Sequence, residues 1–387
     1  MADQHLSWAM TTLLFLLRSR RATKCVVAVY VVAILTGYGY SAYGKQTKLY
    51  DQVNPVVRVI DHAAHVILTV SNLTVALQVA RFRKLCDVLR STVIDGKRRS
   101  RPRDKSRSVA TFVAAFDCFI FVLLVGDVVF LLRAVGFAFL RYYIARDVQF
   151  YMFHVSLLLV MEVGIKIAAK FRDLNASLTR IEERYFSVDA VRVTDRVLLS
   201  RGKKMVCVYD PDAFLSGLTR LEALHNELCN VVDQYNERFG IVLLFAVMYI
   251  VANILWDVTV IMEYFIRNTR IGGTYIGYTV SINYGAWIVA SLGQTILMAH
   301  VGHLLRTENQ KTVVYCYSFL NKLPIDTNEG IITMVRSKLL LLAEQVRRRH
   351  PLIKAGGFIP VDLGILNVVV SNVATNTIVA VQFLFKL

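Results

Sequence analysis

No Gly-x-Ser-x-Gly, His-Glu-x-x-His, Walker loop or Gly-x-Gly-x-x-Gly in a strand-to-helix setting occurs in the 387 residues. The signatures of acyl transfer, zinc hydrolysis and nucleotide chemistry are therefore missing, and no enzyme is expected. No Cys-x-x-Cys or Cys/His cluster has metal-ligand spacing, and His62 and His65 beside Asp61 lack a third ligand, so neither a metal nor another cofactor is expected. There is no internal repeat, low-complexity tract or inverted symmetry, which argues against a secondary transporter built from paired halves. Charge is scarce as well. Asp, Glu, Lys and Arg make up 19% of the chain against 55% hydrophobic residues, too little charge for a soluble protein of this length.

In its place stand seven long apolar runs, roughly Cys25–Tyr43, Val56–Ala80, Val109–Leu132, Val148–Ala169, Phe239–Met262, Tyr278–Leu305 and Phe358–Phe385. A helix needs about 20 mostly apolar residues to cross the hydrocarbon of a bilayer. The fold class is therefore all-α: a polytopic membrane protein with seven transmembrane helices.

The formal net charge is +17, but no nucleic-acid partner is expected, because the basic residues concentrate in alternate loops. Arg18, Arg20, Arg21 and Lys24 precede the first run. Further clusters lie in Arg81–Arg107, Lys166–Arg238 and Arg306–Lys354, and together these four groups hold 36 of the 45 Lys and Arg. The positive-inside rule assigns such loops to the cytoplasm. An odd number of spans then places the N-terminus in the cytoplasm and the C-terminus outside, the reverse of a G-protein-coupled receptor. Cys86, Cys207, Cys229 and Cys316 fall in cytoplasmic loops and Cys25 and Cys118 in spans, so no disulfide framework is implied. The sequons at Asn72 and Asn175 fall in a span and a cytoplasmic stretch, and neither is expected to carry glycan.

Residues 1–24 read as a cytoplasmic segment rather than a signal peptide: the apolar stretch Leu13–Leu17 is short and is followed, not preceded, by basic residues. Leu6, Met10, Leu13 and Leu17 recur at helical spacing, as in a short helix lying on the membrane surface. Residues 25–305 form a six-helix bundle with cytoplasmic extensions over about 81–107 and 170–238. External loops are short, so a small ligand has to enter the bundle itself. Leu221, Leu224, Leu228, Val231 and Tyr235 form one apolar stripe. In 326–350, Asp326-Thr327-Asn328-Glu329 reads as a helix cap and Ile332, Val335, Leu339, Leu342 and Val346 as a second stripe. Two arrangements satisfy both: they bury each other within one subunit, or they also bundle several subunits.

Ionisable residues inside spans face the bundle interior or water by default. Glu162 and Lys166 are four apart and read as an ion pair. In the outer halves of the spans lie His65, Asp127, Tyr151, His154, Asn283, Tyr284 and Trp287, together with Arg58, Asp61, His62 and Asp257. Asn283, Tyr284 and Trp287 sit about one turn below the interface, where they either line a pocket for a small ligand or simply pack.

The last segment runs His350-Pro351-Leu352-Ile353-Lys354-Ala355-Gly356-Gly357-Phe358-Ile359-Pro360-Val361-Asp362-Leu363-Gly364, followed by an apolar helix containing Thr375, Asn376, Gln382 and Phe383. It resembles the closing signature of insect gustatory receptors, a Gly-Phe-Phe-type opening with an acidic residue, then Thr-Tyr, five residues and Gln-Phe. Thr375, Gln382 and Phe383 match at the right spacing, while Asn376 stands where the family usually has Tyr. The resemblance implies a taste receptor of the insect chemoreceptor superfamily in the plasma membrane. Such a receptor is a homo- or heterotetrameric, non-selective cation channel opened by a small-molecule tastant, surrounded by lipid. An odorant receptor of the same superfamily shares this architecture. The resemblance makes residues 358–387 the pore-lining helix, makes 326–350 part of an anchor between subunits, and carries the pore face onto Val379, Gln382 and Phe383. Those three lie three and four apart on one helical face; the same face is also satisfied by packing against neighbouring spans.

Overall fold

The computed structural model describes residues 20–50, 54–91, 103–186, 211–271, 274–323 and 330–386. The surface helix expected before residue 20 and the cap at Asp326–Glu329 lie outside the described residues. Eight helices follow in chain order: α1 (Arg20–Lys48), α2 (Pro55–Ser91), α3 (Arg103–Val135), α4 (Phe137–Phe186), α5 (Pro211–Ile271), α6 (Thr274–Lys322), α7 (Gly330–Arg348) and α8 (Gly364–Lys386). A two-stranded hairpin, β1 (Lys354–Ala355) and β2 (Ile359–Pro360), joins α7 to α8. Local chemistry sets several of these limits. Asn54 accepts a hydrogen bond from the Val56 amide at 2.9 Å and Pro55 opens α2, the usual pairing of a cap with a proline at the first helical position. Asp362 caps α8 the same way, its Oδ1 accepting from the Gly364 amide at 2.9 Å.

All but α7 are long and apolar enough to cross a membrane, giving seven candidate spans: Lys24–Lys48, Pro55–Gln78, Val113–Arg133, Leu140–Glu183, Leu215–Phe265, Val280–Lys322 and Gly364–Phe383. Three of the helices run well past that requirement. α5 has 61 residues, about 90 Å at 1.5 Å per residue, against a hydrocarbon core of about 30 Å. α4 and α6 have 50 and 49 residues. Their surplus turns project toward the basic loops, where α5 and α6 pack on α7 and α4 packs on α5 and α6.

That basic end is a packed core. Phe171, Leu174 and Leu178 of α4, Leu218, Leu221 and Leu228 of α5, and Cys316 and Phe319 of α6 are buried there. Val335, Leu339, Leu342 and Val346 of α7 are buried too, so both apolar stripes are covered within a single subunit. Polar ties cross the bundle: Lys322 to Glu182 at 2.6 Å, His225 to Asn309 at 3.0 Å, and Gln345 donating to Asn226 at 2.7 Å. Asn175 donates to the Glu308 carbonyl at 2.8 Å, and Asn72 to the Gln149 carbonyl at 3.1 Å, so both sequon asparagines are buried and engaged. Glu162 and Lys166 form the expected pair at 3.1 Å.

α5 is the central helix, packing on α2, α4, α6, α7 and α8. α1, α3 and α8 lie at the periphery and turn Val29, Val32, Phe121, Val122, Val370 and Ile378 outward. Apolar exposure on that scale needs hydrocarbon rather than water around it.

The chain reaches α8 through a clamp. Gly356 and Gly357 adopt φ of 61° and 84°, which a side chain resists, and this lets the hairpin turn tightly. The Gly356 amide donates to the Gly240 carbonyl of α5 at 2.7 Å. Asn236, one turn away, donates to the Leu352 carbonyl at 2.7 Å and accepts from the Lys354 amide at 2.9 Å. On the other side the Val361 carbonyl lies so near Gly302 of α6 that a Cβ there would sit 1.4 Å from it. Arg306 then reaches Asp362 at 2.7 Å. The seventh span therefore starts at Gly364 rather than at Phe358: six residues of the apolar run are spent on the hairpin and the cap.

Candidate functional site

At the end opposite the basic loops, α3, α4, α5 and α6 enclose a cavity with about 320 Å³ of space between atoms, part of it open to the outside. Asp127 of α3, Arg146, Asp147 and Phe150 of α4, Tyr249, Asn253 and Asp257 of α5, and Tyr284 and Trp287 of α6 line it. The walls stand close, leaving free room for little more than a water molecule, so a larger guest has to move side chains as it enters. Phe150 meets the Trp287 ring edge-on at 5.1 Å and 89°, and lies 5.9 Å from the Tyr249 ring. Such aromatic packing holds the apolar wall in shape.

The polar wall is organised by hydrogen bonds along α5 and between helices. The Tyr249 hydroxyl donates to Asn253 Oδ1 at 3.2 Å, and the Asn253 amide donates to Asp257 at 3.1 Å and to Ser291 Oγ at 3.3 Å. Asn283 donates to Asp127 at 2.8 Å, tying α6 to α3. Behind Arg146 lies a fully buried hub. Asp61 of α2 accepts from Lys45 of α1 at 2.8 Å, from Tyr50 at 2.7 Å and from Arg146 at 2.9 Å. Burial, reinforced by the Asp61 carboxylate, raises the Tyr50 phenol well above its ordinary pKa and keeps it a donor. Lys45 Nζ also lies 4.3 Å from the Tyr143 ring centroid, and the Arg146 guanidinium 5.9 Å from Trp256.

Of the residues singled out from sequence, Asp127, Asp257, Tyr284 and Trp287 line this cavity, and Asn283 is one hydrogen bond removed. His154 lies one turn below Phe150, buried, with Nδ1 2.9 Å from the Gln294 amide. Tyr151 turns toward Phe121 on α3, ring centroids 6.0 Å apart. His65 is buried between α1 and α2, edge-on to Tyr38 at 5.0 Å. Arg146 and Asp147 escape the sequence pattern because the apolar run starts at Val148, whereas α4 begins at Phe137 and sets both well inside the helix. Among the described residues no group of three His, Cys, Asp or Glu side chains is placed to hold a metal.

The second functional element is α8. Ile365, Val369 and Ala380 are buried and Val373 is partly buried, so the helix touches its own subunit along one stripe. Asn372, Thr375, Val379 and Gln382, spaced three, four and three apart, are exposed on another, with Phe383 beside them 55% exposed. At about 100° per residue these positions share one sector of the helix, about a quarter turn round from the buried stripe, with Phe383 on the edge nearest to it. Asn376 bonds back to the Asn372 carbonyl at 2.8 Å, within its own helix. Ile378 lies on a different, apolar sector with Val370 and Ala374.

The family model described as 7tm chemosensory receptor matches residues 6–386 of the chain. Among solved structures, the insect olfactory receptor OR5 from Machilis hrabei in complex with eugenol has the same fold, with a TM-score of 0.60 at 11% identity over 93% of this chain and 88% of that one. A second structure of that receptor gives a TM-score of 0.57 at 10% identity over the same shares. No curated protein sequence matches.

Proposed function

The chain belongs to the 7tm chemosensory receptor family, within the insect chemoreceptor superfamily, and we propose that it is a gustatory receptor: a ligand-gated, non-selective cation channel of the plasma membrane, opened by a small-molecule tastant. The observation that carries this reading is the exposed polar seam of α8. Asn372, Thr375 and Gln382 would be costly against lipid, and polar groups in a span turn toward other helices or water. With Val379 between them, their spacing of three and four is that of a seam between helices packed around a common axis. Copies of α8 from a homo- or heterotetramer would cover the seam and leave a water-lined path between them. Phe383 and Val379 then form an apolar constriction, which gates by excluding water.

Other features support the remaining parts of the proposal. The alternation of basic loops supports a cytoplasmic N-terminus and an external C-terminus, which opens the cavity of α3–α6 to the outside as the tastant site. The outer face of α7, with Met334, Leu340 and Leu341 exposed, supplies an apolar contact between subunits at the cytoplasmic end. The choice of taste over smell rests on Thr375, Gln382 and Phe383 at the end of the chain, since both kinds of receptor share the fold.

Whole-cell recording from cells expressing the chain tests the channel. Phe383→Ala widens the constriction, so cation current without ligand should rise and a tastant should add proportionally less. Gln382→Ala should alter conductance or ion preference before it alters resting current, and Ile378→Ala should leave resting current as it was. Surface-expressed Phe383→Ala and Gln382→Ala with the quiet baseline and ion preference of the parent would refute the pore face.

A further inference from the structure

The buried carboxylates in and behind the cavity outnumber the cations available to them. Asp61, Asp127, Asp147 and Asp257 are all buried, against Lys45 and Arg146, and both cations are already bonded to Asp61. Asp127 and Asp257 take their hydrogen bonds from neutral amides, those of Asn283 and Asn253. Asp147 has only the edge of Arg146, at 3.9 Å from its Oδ1. Its Oδ2 has no hydrogen-bond partner among the described residues, although Asp147 lines the cavity and is only 8% exposed. An uncompensated carboxylate in such a place is costly, and a cation arriving beside it recovers that cost. The aromatic lining suits the same visitor: Phe150, Tyr249 and Trp287 border the cavity, and ring faces attract organic cations.

From this geometry we propose that the ligand of the cavity is a small organic cation, an aryl- or alkylammonium. Its charged head lies between Asp147 and Asp257 and its apolar part against Phe150 and Trp287. The proposal rests on the cavity being the ligand site, and it adds the charge of the ligand.

Benzyltrimethylammonium and neopentylbenzene share shape and differ by one charge. Binding of each to the purified full-length protein in lipid nanodiscs, followed by titration calorimetry, separates shape from charge. The cation should bind about tenfold or more tightly than its neutral isostere. Asp147→Asn, or Asp257→Asn should the first variant fail to fold, should remove most of that preference while leaving the isostere's affinity nearly unchanged. Equal affinities, a preference for the isostere, or no saturable binding of the cation would overturn the proposal. So would a preference that survives in both variants, which places the cation elsewhere, for instance in the pore. Two equally bound probes that both weaken in Trp287→Ala would remove the cation and keep the cavity as ligand site. Probes indifferent to Trp287→Ala would remove the cavity itself.

Discussion

Replacing Asp61 should destabilise the protein more than replacing either cation it holds, and the hub's charges give the ordering. As built, Lys45 and Arg146 flank the Asp61 carboxylate, and these three groups together carry +1, before Asp147 beside Arg146 is counted. Asp61→Asn raises it to +2 and strands Lys45, whose remaining neighbour is the Tyr143 ring at 4.3 Å, while Arg146 keeps Asp147 at 3.9 Å. Coulomb's law at an effective dielectric near 20 gives roughly 6 kcal/mol for unit charges 2.8 Å apart, most of it offset by the desolvation of both ions. Breaking such a pair from one side typically costs about 3–5 kcal/mol. With an unfolding entropy near 2.1 cal/mol/K per residue, that is a fall in apparent Tm of about 4–6 °C for a chain of this size. Lys45→Met removes one cation and leaves the Arg146–Asp61 bond, so its effect should be well under half of that. The double variant no longer buries a stranded ammonium and should melt above Asp61→Asn alone. The assay is the apparent melting temperature of purified protein at one fixed scan rate, because membrane proteins of this kind unfold irreversibly. Strict additivity of the two single effects, with the double variant melting lowest, would refute the reasoning, since groups in contact must couple.

Other tests address orientation and assembly. An N-terminal epitope tag should be reached by antibody only after permeabilisation and a C-terminal tag on intact cells; the reverse pattern would contradict the reading of the basic loops. If the proposed tetramer is held by the exposed face of α7, Leu340→Ser with Leu341→Ser should dissolve it on native gels while leaving the monomer folded, whereas Leu339→Asp with Leu342→Asp should prevent folding, because both leucines are buried within the subunit. Intact tetramers from the serine pair would move the contact off α7.

The seven spans were legible because hydropathy over a span-length window integrates many residues, and local error averages out. Ends were less legible. The last apolar run includes Phe358 and Ile359, yet the turn at Gly356-Gly357 and the cap at Asp362 hold them outside the helix, a decision made by a few backbone hydrogen bonds. The stripes through Leu228 and Leu339 announced buried faces, but periodicity carries no information about which chain covers them. At the cavity, Asp127, Asp257, Tyr284 and Trp287 stand out as polar or aromatic residues near span ends. Lys45 and Arg146 do not, because each falls just beyond a run's apparent limit, Tyr43 or Val148, and a charge is what makes a hydropathy window stop. Tyr249 and Asn253 sit mid-run, where nothing in a one-dimensional pattern separates a residue facing a cavity from one facing a neighbour.

The clamp before α8 has a mechanical consequence. Its fixing points, Asn236 and Gly240 on one side and Gly302 and Arg306 on the other, belong to α5 and α6, the same unbroken helices that carry Asn253 and Trp287 roughly 20 Å away. Two stiff rods bridged part-way along their length at a fixed width behave as the arms of a pair of tongs about their pivot. Spreading them at the cavity changes the angle at the bridge, and the absence of a side chain at Gly302 leaves the backbone of Val361 no slack to take up the difference. The hairpin has to rotate with the rods, and the helix that begins at Gly364 turns with it.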